Sequence, residues 1–286
     1  MDWITNGWVA GSVVAGMVVG ACMLHLIGRV SRAMSDWFCR APGVDGVILY
    51  FMVAPWVGGA IVAGWPGVAS SIVGQIVGLW LWIIGHELCH PVSKRGGPRI
   101  ASTLNRIVGL AANHAALWWT AVVLPGFVIV RLAQYIGYPP LTWWVRFPKY
   151  KSGEWINVSR HKFEGLIGYD LIWCLYCDWM TGVWSLGSEM LRNVESFWCP
   201  IRFYEDKKCE NCKVDFPDVE NGWVAHDGTM QQVTEVLESR YDGQDENAWY
   251  GHPVRITVEG NAPPAEPPDA PESPESPEPP EVEESE

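Results

Sequence analysis

The chain has 286 residues, a formal net charge of −12 and 18 Trp, and its charge is divided unevenly along its length. Before Gly137 there are four acids (Asp2, Asp36, Asp45, Glu87) against eight Lys and Arg; the other 28 acids and 12 bases follow. The acidic second half repels phosphates, which excludes nucleic acid as its partner, and a basic apolar half joined to it is the pattern of a membrane anchor carrying an exposed region.

A helix needs about 20 mostly apolar residues to cross a hydrocarbon core roughly 30 Å thick. Four runs meet or approach that length, near 8–27, 47–63, 68–84 and 107–130. Gly64-Trp65-Pro66-Gly67 separates the second from the third, and Asn113, His114 and Pro125 lie inside the fourth. The first run reads as a span rather than a signal peptide, because no basic segment precedes it and further runs follow. Small residues at helix-contact spacing (Gly11, Ala15, Gly16, Gly20; Gly58, Gly59; Gly74, Gly78) favour close packing in lipid. The pairs Trp118-Trp119 and Trp143-Trp144 suit a bilayer interface. Residues 1–136 are therefore expected to form an α-helical multi-pass bundle of about four spans in a membrane, expected to be the cell membrane.

Basic loops set the orientation. Arg29, Arg32 and Arg40 follow the first run, and Lys94, Arg95, Arg99 and Arg106 follow the third, so both loops are expected to be cytoplasmic. Four crossings would then leave the C-terminal half outside, yet Arg146, Lys149, Lys151, Arg160 and Lys162 favour the inside. Two arrangements reconcile these facts. Either 107–136 is a re-entrant hairpin bent at Pro125-Gly126, or 163–186 is a fifth crossing, which Glu164, Asp170 and Asp178 oppose. A cytoplasmic C-terminal region is the expectation.

Residues 137–258 read as a soluble, cysteine-containing α+β region. An amphipathic helix is expected over 165–191, with Leu166, Tyr169, Trp173, Tyr176 and Met180 on one stripe. A second is expected over 229–241, capped by Asp227 or Thr229, with Met230, Val233, Val236, Leu237 and Tyr241 facing inward. Val254, Ile256 and Val258 alternate like a strand within 253–258. From Glu259 to the end, Pro and Glu dominate, with too little apolar surface to offset ordering, so 259–286 is expected to be a disordered acidic tail.

His86-Glu87-Leu88-Cys89-His90 matches His-Glu-x-x-His at the end of the third run. On a helix both imidazoles share a face and can bind one Zn²⁺, while Glu87 takes a proton from the bound water. These five residues and their setting resemble membrane-embedded zinc proteases, a resemblance that implies a catalytic Glu87 and metal ligands His86 and His90. His114 is the best third ligand, ahead of Glu164 and Asp170. Pro91 closes the motif, and the membrane runs lack the downstream Asp-Gly pair of such proteases. The alternative is an interfacial His pair near Lys94 and Arg95 that meets water or anionic lipid. Seven scattered His are too few for a di-iron hydroxylase.

Of eight Cys, Cys174 with Cys177 and Cys209 with Cys212 form two Cys-x-x-Cys pairs that can supply a four-thiolate zinc site, with His226 and Cys199 as alternates. Free thiols and disulfides remain open. The functional expectation is a non-catalytic multi-pass membrane protein, bound to the lipid bilayer, that presents a zinc-stabilised soluble region to protein partners. The alternative is an intramembrane zinc metalloprotease.

Overall fold

The computed structural model describes residues 3–91, 99–203 and 219–248. Among these the chain is mostly helical and contains no sheet, only isolated bridges pairing Arg40 with Asn157 and Ile201 with Val224. The strand expected over 253–258, the tail 259–286, and Cys209 and Cys212 lie outside the described residues.

Three helical runs are long and apolar enough to cross a membrane: Trp3–Val30, Gly43–Cys89 and Leu110–Trp144. Their most apolar windows are only 6%, 11% and 11% buried by the protein itself. Apolar surface on that scale is not stable in water, so lipid must cover it. The chain is a membrane protein.

The 47-residue run is a hairpin. The backbone leaves helical geometry at Ala63 and Gly64, and the φ of +62° at Gly64 is the left-handed conformation that glycine adopts without strain. Pro66 then starts the descending arm. The arms expected at 47–63 and 68–84 thus pack antiparallel. Gly59 and Gly67 touch backbone to backbone, which no larger residue permits, and the buried Ser71 hydroxyl donates to the Pro55 carbonyl at 2.7 Å.

Within the ascending arm, Leu49–Val53 widens into a π-helical turn. Pro55 has no N–H to offer the Phe51 carbonyl one turn below. Gln75 of the descending arm supplies the missing donor: its amide donates to the Phe51 and Met52 carbonyls at 2.8 and 3.0 Å, and its oxygen accepts from Trp56 Nε1 at 2.6 Å. In hydrocarbon no water can replace these bonds. Helix Trp3–Val30 completes a three-helix bundle, with Gly74 against Ala10 and Val13, Gly78 against Met17, and the Tyr50 hydroxyl donating to the Gly16 carbonyl at 2.8 Å. Gly11 and Gly58, expected at contacts, meet nothing.

Beyond the bundle come the short helix Ile100–Val108 and then Leu110–Trp144, which is broken into Leu110–Thr120, Leu124–Ile136 and Tyr138–Trp144. The amphipathic helix runs over Gly168–Trp198, about one turn later at its start and two turns later at its end than its sequence pattern implies. Its buried side carries Tyr169, Trp179, Val183 and Leu186, whereas Trp173, Tyr176 and Met180 are only half-buried. Trp179, Val183 and Leu186 share one apolar cluster with Ala41, Val44, Leu124, Ile156 and Val158. Residues from the apolar and polar halves thus build a common core. Met230–Tyr241 forms as expected, with Thr229 capping through a reciprocal bond with Gln232; Val233 is buried and Met230 is exposed.

Replacing Gln75 with Leu should strand two carbonyls and an indole N–H in an apolar interior, each costing about 1–3 kcal/mol. Thermal unfolding in detergent should show a clearly lower Tm for Gln75→Leu, while Gln75→Asn should recover little because the shorter amide does not reach.

Candidate functional site

The site grows from the lower end of the hairpin's descending arm. His86 and His90 share a face there because residues four apart superpose on a helix, and Glu87 is the next residue after His86. The two imidazoles stack, with centroids 4.3 Å apart and planes 23° apart, and Trp82 continues the column at 4.9 Å from His86. His90 Nδ1 donates to the His86 carbonyl at 2.9 Å. The helix ends at Cys89, just before Pro91.

Glu87 and His86 both engage the start of helix Gly168–Trp198. The Gly168 N–H donates to His86 Nδ1 at 3.3 Å, which leaves the proton of a neutral ring on Nε2. Gly168 also lies against the Glu87 carboxylate so closely that a Cβ would overlap it, and its φ of +53° is itself unfavourable for other residues. Arg99 binds the pair of elements together. Its Nε donates to Asp170 Oδ2 at 2.7 Å, and one Nη donates to Glu87 Oε1 at 3.2 Å and to the Ile167 carbonyl at 3.0 Å. The other Asp170 oxygen accepts from the Ala101 N–H at 3.0 Å. Burial disfavours the Arg99 charge, but the bonds to Asp170 and Glu87 outweigh it and raise the guanidinium pKa above its ordinary value.

His114 is brought close to this cluster, with Nδ1 2.8 Å from the Tyr169 hydroxyl. Tyr169 in turn stacks on Trp80 at 5.7 Å. Asn113 is buried and donates to Asn105 Oδ1 at 2.9 Å. Glu164, weighed as a ligand in the sequence, is exposed on the surface. Among the described residues no group of three or more His, Cys, Asp or Glu is arranged to hold a metal ion. Within the motif, His86 Nδ1 is engaged with the Gly168 N–H, His90 Nδ1 with the His86 carbonyl, and Glu87 with Arg99.

A second polar cluster was not legible in the sequence. Arg131, 5% exposed, reaches Asp45 Oδ2 with Nε at 3.1 Å and Nη at 2.7 Å. The Tyr135 hydroxyl donates to the same oxygen at 2.7 Å, and Trp179 Nε1 donates to the other at 3.2 Å. Gln134 accepts from Arg131 at 2.8 Å and donates to the Val183 carbonyl at 2.8 Å. The one available signal was that Asp45 is among only four acids before Gly137 and borders an apolar run.

A third junction joins the loop after the first helix to the segment before helix Gly168–Trp198. The Ala41 N–H donates to the Ile156 carbonyl at 3.0 Å, and the Val158 N–H donates to the Cys39 carbonyl at 2.7 Å. Cys39 Sγ lies 3.9 Å from His161 Nε2, beside the exposed ion pair of Lys162 with Asp36. Burial is the main influence on both: it raises the Cys39 thiol, against an opposing pull from Lys162, and lowers the His161 imidazole. Cys174 and Cys177 are one turn apart on the long helix and half-buried, and burial raises the Cys174 thiol despite nearby Arg160.

No protein-family model matches the chain, and no curated protein or solved structure matches it.

Removing Arg99 while keeping its carboxylates should cost about 3 kcal/mol, as for other partly buried ion pairs broken on one side. Arg99→Gln should therefore unfold at lower temperature in detergent than Glu87→Gln, which keeps a hydrogen-bond acceptor opposite Arg99. Because the thiolate is the reactive form, Cys39 should alkylate more slowly at pH 8 than the exposed Cys199, as read by mass spectrometry of timed iodoacetamide reactions.

Proposed function

We propose that this chain is a non-catalytic multi-pass membrane protein that holds a cysteine-bearing polar region against one membrane face for protein partners. The observation that carries the reading is the Glu87–Arg99–Asp170 bridge. The carboxylate that a zinc hydrolase would use as its base is neutralised by Arg99 and covered by Gly168. The chemistry of the motif is spent on joining helix Gly168–Trp198 to the hairpin.

In this reading the cytoplasm is the side of the polar region, since Arg29, Arg32, Arg40 and Arg99 all lie at the same end of the bundle. Zinc, where it binds, is held by Cys174, Cys177, Cys209 and Cys212 and serves to fold the polar region, not to hydrolyse a substrate. A Glu-assisted zinc site at His86 and His90 is the competing reading, and metal content separates the two.

Zinc in the purified full-length protein should be unchanged by replacing His86 and His90 together with Ala and lowered by Cys209→Ser. Cells lacking the chain should be complemented equally by the wild type and by Glu87→Gln. A Glu87→Gln protein that is folded, zinc-loaded and unable to complement would overturn the proposal in favour of the protease.

A further inference from the structure

We propose that the apolar run Leu110–Trp144 does not cross the bilayer but lies in the plane of one leaflet, its apolar side among acyl chains and its flanking bases on anionic headgroups. The inference rests on the chain being a membrane protein and is independent of whether it is catalytic.

The bundle fixes which residues share a membrane face. Gly74 meets Ala10 and Val13, and Gly78 meets Met17, so the descending arm runs in the same sense as helix Trp3–Val30. The ascending arm runs oppositely, as the Ser71–Pro55 and Gln75–Phe51 bonds require. Residues near Val30, Asp45 and Glu87 therefore lie at one end of the bundle, and Trp3 and the Gly64 turn lie at the other.

Helix Gly168–Trp198 touches that first end twice. Gly168 and Asp170 meet His86 and Arg99, and Trp179 meets Asp45. Between Gly168 and Trp179 the helix advances about 16 Å at 1.5 Å per residue. Asp45 begins the ascending arm and Glu87 closes the descending one, so a helix that meets both in succession runs across the end of the hairpin, not along it.

Leu110–Trp144 follows this helix in the same direction. His114 meets Tyr169, Trp118 meets Trp173, Thr120 accepts from Tyr176, Gln134 donates to Val183, and Tyr138 accepts from Asn193. Arg131 adds a direct bond to Asp45 at the same end. The run therefore enters and leaves on one membrane face, despite a length and hydropathy sufficient for a crossing.

Its free side identifies what covers it. Leu110, Trp119, Val122, Ile129, Ile136 and Trp143 are all more than 60% exposed, so large apolar side chains stay uncovered along the length of an element already packed on its other side. Arg106 precedes it, and Arg146, Lys149 and Lys151 follow it, all exposed to solvent. Apolar side chains with indoles between basic ends are the composition of an in-plane element attracted to anionic lipid. A protein partner would not require cations at both ends.

Topology labelling of the wild-type chain tests this directly. The protein is placed in sealed vesicles of each orientation, treated with an impermeant amine reagent and digested for mass spectrometry. Lys94, between Cys89 and Arg99, and Lys149, after Trp144, should be modified from the same side and protected from the other. Modification of the two lysines from opposite sides would overturn the proposal and restore a crossing. Release of the protein by alkaline carbonate is a different failure: it would remove the membrane reading itself and this inference with it.

Discussion

The polar cluster around Asp45, where Arg131 pairs with it and Trp179 of the second half bonds to it, is the constraint on which the assembly of the two halves depends. Removing two charges from water is expensive, and their attraction repays that cost only when every remaining donor and acceptor is met. Here Asp45 accepts from Arg131, Tyr135 and Trp179, and the guanidinium also reaches Gln134. Three separate elements contribute: the start of the hairpin, the Leu124–Ile136 helix and the long amphipathic helix. A shift of any one by a single residue would leave a charge unpaired in an apolar setting. The network therefore selects one register out of many that apolar packing alone would tolerate.

The same logic recurs at the other arm. Glu87, Arg99 and Asp170 link the hairpin's exit to the first turn of helix Gly168–Trp198, and Gly168 permits the close approach. Asp45 and Glu87 are two of the four acids before Gly137, and each is bonded to an arginine from a later segment. Acidic side chains within an otherwise apolar hairpin thus mark attachment points. Inside the bilayer proper, neutral groups perform the comparable task, as Gln75 does for the carbonyl left open by Pro55. Charge is used where the hairpin meets the polar layer, and amides and hydroxyls are used within it.

The His-Glu-x-x-His segment illustrates why a motif defines capability and surroundings define use. Two imidazoles and a carboxylate on one helical face can ligate and activate, but they are equally good hydrogen-bond and ion-pair partners. Here an arginine reaches the carboxylate and a backbone N–H reaches the imidazole, so the segment also joins the hairpin to helix Gly168–Trp198. The apolar surfaces on Leu110–Trp144 and the basic residues around it then extend the contact with lipid beyond the three bundle helices.

The apolar runs, the break at Gly64, the cap at Thr229 and the amphipathic character of the long helix were all readable from the sequence, because each is set by residues within one or two helical turns. The sequence also located His86 and His90 on a common face. It did not reveal Arg99 as the partner of Glu87, Arg131 as the partner of Asp45, or Gln75 as the donor for Phe51, because a lone Arg or Gln carries no periodic signal that names its partner. Hydropathy likewise marked Leu110–Trp144 as apolar but not as an element laid along helix Gly168–Trp198. Composition determines which surfaces must leave water; only the tertiary bonds, each joining segments far apart in sequence, decide which neighbours those surfaces meet.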